Sequence, residues 1–200
     1  LALTLSVETW EETWILQYGN GLHPVQWVTS NFVHGGFSHL LGNMLFLWAF
    51  GIIVEGKIGW WRFLLVYFAI GTLQCASEQA ITLGFAEGGS IGASAVIYGL
   101  MAMSLVWAPK NEITFVAWIF FRPFFFDVTV LNCALIAVCM QIAMAAFFDF
   151  AIGSEVLHLM GAGIGFVLGA AMLKLRLVDC ENWDLFSVIA GRHEMAPEDL

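Results

Sequence analysis

The chain has 200 residues, of which 60% are hydrophobic and only 12% are charged. A soluble domain has roughly 45–50% apolar and about 25% charged residues, so this composition excludes an ordinary soluble protein and predicts a membrane protein. The formal net charge of −9 comes from acidic residues spread over loops and the C-terminal end rather than gathered on one face, and it predicts no nucleic-acid partner.

The first segment, residues 1–38, mixes tryptophans with Glu, Gly, His and Pro. This mixture is too polar to span a bilayer but suits the headgroup region, so we predict an external interfacial loop. An all-α membrane domain is predicted over 39–176, because a helix of about 20 apolar residues crosses the bilayer. Its five candidate spans are 39–54, 60–77, 91–108, 128–147 and 156–176.

Between the third and fourth spans, residues 113–127 are apolar, aromatic and β-branched, with Arg122-Pro123 as the turn signal. Too few residues lie on either side of this turn for a spanning helix, which predicts a hairpin-like segment at the cytoplasmic interface. A helical re-entrant segment is the alternative. Residues 177–200 are predicted to form a short polar tail.

The placement of basic residues predicts the orientation in the membrane. If the five spans alternate, all seven Lys and Arg residues lie on one side, whereas residues 1–38, about 78–90 and 148–155 have none. Cytoplasmic loops are enriched in Lys and Arg. We therefore expect a multi-pass protein of the plasma (inner) membrane with a cytoplasmic C-terminus and residues 1–38 outside.

Polar side chains within apolar spans are costly, so each one marks a candidate functional site. His39 and Asn43 are four residues apart, which places them on one face of the first span, one turn from each other. Both can donate hydrogen bonds to a common point. A polar contact between helices, or a helix start capped by Ser38, is the alternative interpretation.

Ser94 lies in a glycine-rich run, residues 88–95, that leads into a membrane helix. Such a start lets the backbone approach closely and leaves free N–H groups that can bind an anion. A serine hydroxyl there can be a nucleophile, with its own N–H as an oxyanion donor. Small-residue helix packing is the alternative, and Ser90 is the rival nucleophile.

His158 is the only histidine of the last span, and Gly161, Gly165 and Gly169 follow it at regular intervals. Glycines with this spacing let another helix come close, and His158 would face the same neighbour. An apolar setting favours the neutral imidazole that a general base requires. The sequence thus predicts a base beside a tightly packed helix pair.

Tyr98 lies four residues after Ser94 and therefore on the same side of its helix. It is placed to pack against the imidazole of His158 and to hold its orientation. In a catalytic triad a carboxylate has this task. The alternative is an aromatic side chain that only fills space in the core. No carboxylate lies inside the membrane near His158, although Asp149 or Glu155 at the outer end of the last span is a candidate contact from the loop.

Metal binding by His34, His39 and His158 is a competing interpretation. The sequence has no HExxH motif or similar paired-ligand spacing, so we expect neither a metal nor another cofactor.

Three motifs in chain order resemble the rhomboid family of intramembrane serine proteases. Residues 34–43, with a second histidine at His39 and then Asn43, resemble the start of the family's second transmembrane helix. Gly92-Ala-Ser94-Ala, with a tyrosine following, resembles the family's GxSG motif. Residues 158–165 resemble its final helix, which carries the catalytic histidine and a glycine groove.

The resemblance extends over roughly residues 24–176 and implies a six-helix rhomboid core. It implies that a Ser94–His158 dyad cuts transmembrane protein substrates within or beside the lipid bilayer. Because five spans are visible where the family has six, we expect the first core helix to precede residue 1.

The resemblance also implies roles for neighbouring residues. His39 and Asn43 would help the backbone N–H of Ser94 to stabilise the oxyanion, with Tyr98 and Gly92 supporting the site. Ala95 stands where the motif has its last glycine, and we expect this change to be tolerated.

Two other functions remain open. A non-catalytic rhomboid-like protein would bind transmembrane helices, but such relatives characteristically lack the serine, the histidine or both. A small transporter or channel would have polar groups at several depths on more than two helices, whereas the polar residues here cluster toward the outer ends of the spans.

Overall fold

A computed structural model describes residues 13–84 and 88–194, which are mostly helical. In chain order the helices are α1 (Gln26–Thr29), α2 (Phe37–Ile58), α3 (Trp60–Ile81), α4 (Ser94–Trp107), α5 (Val130–Phe147), α6 (Ser154–Lys174) and α7 (Leu185–Ile189). Single 3-10 turns lie at Ser30–Phe32 and Arg192–Glu194. The strands are β1 (Leu16–Gln17), β2 (Gly89–Ser90), β3 (Glu112–Ile119) and β4 (Arg122–Thr129), paired β1 with β2 and β3 with β4.

Four helices of the described chain, α2, α3, α5 and α6, are long and apolar enough to cross a membrane. They have 18 to 22 residues. At about 1.5 Å per residue this is close to the roughly 30 Å of the hydrocarbon core. The protein is therefore an integral multi-pass membrane protein, and its all-α class is confirmed.

Helix α4 lies at the centre and packs against α2, α3, α5 and α6. It has 14 residues, so the prediction of a span over 91–108 was too long. The glycine-rich residues before Ser94 are not helical, and the chain leaves the helix at Ala108, just before Pro109. A helix enclosed by other helices need not match the bilayer thickness, because protein rather than lipid surrounds it.

Glycines join α6 to α4 without intervening side chains. A Cβ atom added at Gly161 would overlap the backbone of Ala95, and one at Gly165 would overlap the backbone of Gly99. Farther along, the indole N–H of Trp107 donates to the carbonyl of Gly169 at 2.9 Å. The two backbones are therefore in direct contact at Gly161 and Gly165.

The segment between α4 and α5 is a regular β-hairpin, which excludes the helical alternative. Its turn is Phe120-Phe121, with φ angles of 47° and 62°, and Pro123 instead pairs with Trp118 inside the ladder. The prediction of a turn at Arg122-Pro123 was therefore wrong. The hairpin also extends past the predicted 113–127 at both ends, because strand pairing continues up to the start of α5.

Part of the predicted external loop, residues 13–36, is tied to the end of α3. Gln79 of α3 is fully buried, and its Oε1 accepts from the backbone N–H of His23 at 2.7 Å and the indole N–H of Trp27 at 2.8 Å. Its Nε2 donates to the carbonyl of Gln17 at 2.9 Å. This segment is an ordered layer over the site, while residues 1–12 lie outside the described chain.

Residues 177–194 are more than a polar tail. Val178 and Cys180 are buried against the core, and Asp184 caps α7 by accepting from two backbone N–H groups at 3.0 Å. Burial raises the pKa of the Cys180 thiol to about 11, so the thiol stays protonated at neutral pH. Tertiary packing of two apolar side chains, invisible in the local composition, orders this segment.

Substitution of Gly165 by alanine tests the contact between α4 and α6. Its new methyl group must push two backbones apart, and overpacking of this kind costs typically about 1–3 kcal/mol. Thermal unfolding in detergent should show the loss. Gly163 is the matched control, because a Cβ atom there has no neighbour within 4 Å. An equal loss of stability in Gly163→Ala would contradict the assignment.

Candidate active site

The site is built at the start of α4. Gly92 has a φ angle of 105°, a conformation open to glycine but strained for other residues, and its N–H donates to the carbonyl of Ser30 at 2.9 Å. This turn ends the extended residues 88–91 and aims the first helical residue, Ser94, at α6. The conformation of Gly92 therefore positions the hydroxyl group of Ser94.

His158 meets Ser94 across the contact between α4 and α6. The distance from His158 Nε2 to Ser94 Oγ is 2.8 Å, within hydrogen-bond range. His158 lies one turn before Gly161, whose backbone touches that of Ala95, the residue after Ser94. The close approach of the backbones thus brings the two side chains within reach.

The imidazole of His158 has two further partners. Tyr98 stacks on it with ring centroids 4.5 Å apart and planes 7° from parallel. Gln141 of α5 places Oε1 at 3.3 Å from Nδ1, and its Nε2 donates to the Tyr98 hydroxyl at 2.6 Å. The sequence prediction did not include Gln141, although a lone glutamine deep in an apolar span is the same signal that identified the other residues.

Neither of the two acidic residues near the start of α6 forms a hydrogen bond with the imidazole of His158. Within the described chain the hydrogen bonds of the imidazole go to Ser94 and Gln141, not to Asp149 or Glu155. The sequence left such a contact open as an alternative to a dyad, and the hydrogen bonds of the imidazole do not support it. Glu155 lies in the first turn of α6, three residues before His158, and its charge acts on the imidazole without a hydrogen bond.

His39 and Asn43 approach Gly92 from α2. A Cβ atom added at Gly92 would lie 2.8–2.9 Å from the imidazole of His39 and 3.4 Å from Asn43 Nδ2. The backbone N–H of Gly35 donates to His39 Nδ1 at 3.3 Å, which leaves Nε2 as the protonated nitrogen of the neutral ring. The buried Asn43 Nδ2 has no partner among the described residues.

Two cavities meet at Ser94. One, of about 790 Å³, is lined by Ser94, His39 and His158 and by further polar residues, including Ser90 and Glu78. The other, of about 450 Å³, lies between α2, α4, α5 and the β-hairpin and is almost entirely apolar. The Ser94 side chain therefore borders a polar cavity on one side and an apolar cavity on the other.

The polar cavity also holds an anchored carboxylate. The hydroxyl of Tyr18 and the side-chain amide of Gln74 donate to Glu78 at 2.5 Å and 2.6 Å. Burial, and then the hydrogen bond to Glu78, raises the pKa of Tyr18 well above its usual range. Tyr18 therefore remains a neutral donor at any physiological pH.

The structure does not support the two alternatives from the sequence, which are Ser90 as the nucleophile and a metal site formed by histidines. Ser90 lines the polar cavity, but the serine within hydrogen-bond distance of His158 is Ser94. His34 contacts His39 edge to face at 5.1 Å, and the described residues contain no group of three or more His, Cys, Asp or Glu side chains that could hold a metal ion.

A family model described as the Rhomboid domain matches residues 22–175. The chain belongs to the rhomboid family. This agrees with the arrangement of the three motifs around one cavity.

Several relatives carry the name of a protease. The chain is 32% identical to the putative rhomboid protease YdcA of Bacillus subtilis over 104 residues, which cover 50% of each chain. It is 36% identical over 80 residues to the rhomboid protease GluP of Bacillus subtilis, covering 40% of this chain and 15% of GluP. It is 33% identical over 91 residues to the rhomboid-type serine protease 2 of Emericella nidulans, covering 40% of this chain and 16% of that protein. The chain spans at most half the length of these relatives.

Replacement of Gly92 by alanine tests the turn. The positive φ angle should cost roughly 1–2 kcal/mol of stability, and the methyl group should displace the His39 ring. We expect a lower unfolding temperature and slower reaction of Ser94 with a fluorophosphonate. Gly35→Ala is the control, since its Cβ atom would make only ordinary contacts at 3.7 Å and 3.8 Å. If both variants behaved like the parent, Gly92 would not be the residue that shapes this site.

Proposed function

We propose that this rhomboid-family protein is an intramembrane serine endopeptidase that cleaves transmembrane protein substrates. The observation that carries the proposal is the hydrogen bond between Ser94 Oγ and His158 Nε2 at 2.8 Å, at the junction of a polar and an apolar cavity. A serine and a histidine this close form a nucleophile and base pair. The protease names of the relatives agree with this chemistry.

In the proposed mechanism His158 Nε2 takes the hydroxyl proton as Ser94 Oγ attacks the scissile carbonyl. The tetrahedral intermediate collapses to an acyl-enzyme, and the imidazolium gives its proton to the leaving amine. A water molecule then repeats the sequence and releases the new carboxyl end. Each step uses groups of this chain and water only.

The oxyanion of the intermediate is assigned to three donors. They are the backbone N–H of Ser94, Nε2–H of His39 and Nδ2 of Asn43. The assignment is supported by the buried Asn43 amide, which has no partner within the described chain and lies beside Gly92. A buried donor without a partner is costly, and an oxyanion formed during reaction would satisfy it.

The two cavities suggest how the reactants arrive. The apolar cavity between α2, α5 and the β-hairpin suits an apolar substrate segment, and the polar cavity suits water. The Lys and Arg distribution favours a cytoplasmic C-terminus in the plasma (inner) membrane, with the polar cavity open to the opposite side. Hydrolysis would thus occur on the extracytoplasmic side.

A non-catalytic rhomboid-like protein that binds transmembrane helices is the alternative. Such a protein needs the apolar cavity but not a serine hydrogen-bonded to a histidine. The paired Ser94 and His158, with Tyr98 stacked on the imidazole, favour the enzyme.

Serine-directed labelling tests the proposal without knowledge of the substrate. The parent should react with a fluorophosphonate, and Ser94→Ala and His158→Ala should lose both labelling and cleavage of a reconstituted transmembrane substrate. Ser90→Ala is the matched control, because Ser90 lines the same cavity whereas the hydrogen bonds of His158 go to Ser94 and Gln141, and it should still react. Labelling of Ser94→Ala at the rate of the parent would show that the protease assignment is wrong.

Substitution of Asn43 by alanine should weaken turnover without abolishing it. Loss of one oxyanion donor in a serine protease costs about 100- to 1,000-fold in kcat, and the remaining donors sustain the residual rate. Substrate cleavage in liposomes measures the effect. Asn132→Ala, at an exposed asparagine near the start of α5, should cleave like the parent. Unchanged kcat in Asn43→Ala would remove Asn43 from the oxyanion site.

A further inference from the structure

The second ring nitrogen of His158, Nδ1, lies 3.3 Å from Oε1 of Gln141. We propose that Gln141 is a positioning residue that holds the Nδ1 proton of His158 and so leaves Nε2 free to accept the proton of Ser94. This inference rests on the proposed peptidase function, and it assigns a role to a residue outside the three sequence motifs.

The proton of the neutral imidazole must be on Nδ1 for the reaction. Nε2 lies 2.8 Å from Ser94 Oγ and must be unprotonated to accept from that hydroxyl group. Which nitrogen carries the proton is set by the partners of the ring. An N–H facing an apolar interior needs an acceptor, and Oε1 of Gln141 is the acceptor that the described chain provides.

The orientation of the Gln141 amide follows from its other contact. Nε2 of Gln141 donates to the Tyr98 hydroxyl at 2.6 Å, which turns Oε1 toward His158. The reaction favours the same orientation, because the imidazolium has an N–H at both nitrogens and a carbonyl oxygen can accept from Nδ1. A reversed amide would direct its NH₂ group at that cation.

Tyr98 and Gln141 constrain different motions of the ring. The stacked Tyr98 ring, 4.5 Å away, prevents the imidazole from tilting but is indifferent to which nitrogen is protonated. The hydrogen bond from Nδ1 to Gln141 selects Nδ1 as the protonated nitrogen. The hydroxyl of Tyr98 joins the two constraints by accepting from the amide.

A neutral amide suits this position. In soluble serine proteases a buried carboxylate orients the histidine. Gln141 lies in α5, an 18-residue helix without a charged side chain, where an ionised carboxylate would be costly to bury. Glutamine offers the acceptor oxygen without the charge.

Two substitutions separate this role from packing. Gln141→Met has a side chain of similar length but no acceptor, and we expect kcat to fall about 10- to 100-fold with little change in KM. Gln141→Glu keeps an acceptor oxygen and should recover most of the lost rate. Ile142→Met, at an exposed neighbour on α5, controls for disturbance of the helix and should match the parent. Unfolding temperatures of all variants identify any that fail to fold.

The tautomer itself is measured by nitrogen NMR of protein with ¹⁵N-labelled histidine, with His158 assigned by its loss in His158→Asn. The parent should show the proton on Nδ1, and Gln141→Met should show a mixture. A proton on Nε2 in the parent, or parent-like kcat in Gln141→Met, would overturn the inference. If the parent neither cleaves substrate nor reacts with a fluorophosphonate, the proposed function fails instead, and the NMR spectrum still reports on Gln141.

Discussion

The contact between the backbones of α4 and α6 is the constraint on which the site depends. Gly161 and Gly165 let α6 lie against the backbones of Ala95 and Gly99, and Ser94 and His158 lie at the N-terminal end of that contact. A side chain at either glycine would separate the helices, and a separation of even about 1 Å would break a 2.8 Å hydrogen bond. The packing of the two helices therefore sets the distance between the two polar side chains of the site.

Much of this arrangement is predictable from the sequence, for a simple physical reason. Polar groups are expensive in a bilayer, so Ser94, Tyr98 and His158 stand out from the apolar residues on either side of them along the chain. The charge pattern and the apolar stretches likewise predict a multi-pass protein. The same rule, applied to α5, identifies Gln141, which the sequence analysis did not include.

Other features depend on tertiary contacts that local patterns do not contain. The turn at Phe120-Phe121 places aromatic residues at positive φ angles, where glycine or asparagine is usual, whereas Pro123 gives a false turn signal. The length of α4 is set by the turn at Gly92 and by its enclosure among other helices. Residues 177–194 are ordered by the burial of Val178 and Cys180, which their polar neighbours obscure.

The position of Ser94 on the wall between two cavities has a consequence for the energetics of the proposed hydrolysis. A peptide bond within a lipid-soluble segment and a water molecule prefer phases that do not mix, and moving either reactant fully into the other's phase is costly. In this protein the polar and the apolar cavity share one lining residue, Ser94. In the proposed reaction, the apolar segment and the water would each stay in a favourable environment until the bond forms, so neither would pay the full cost of transfer before catalysis.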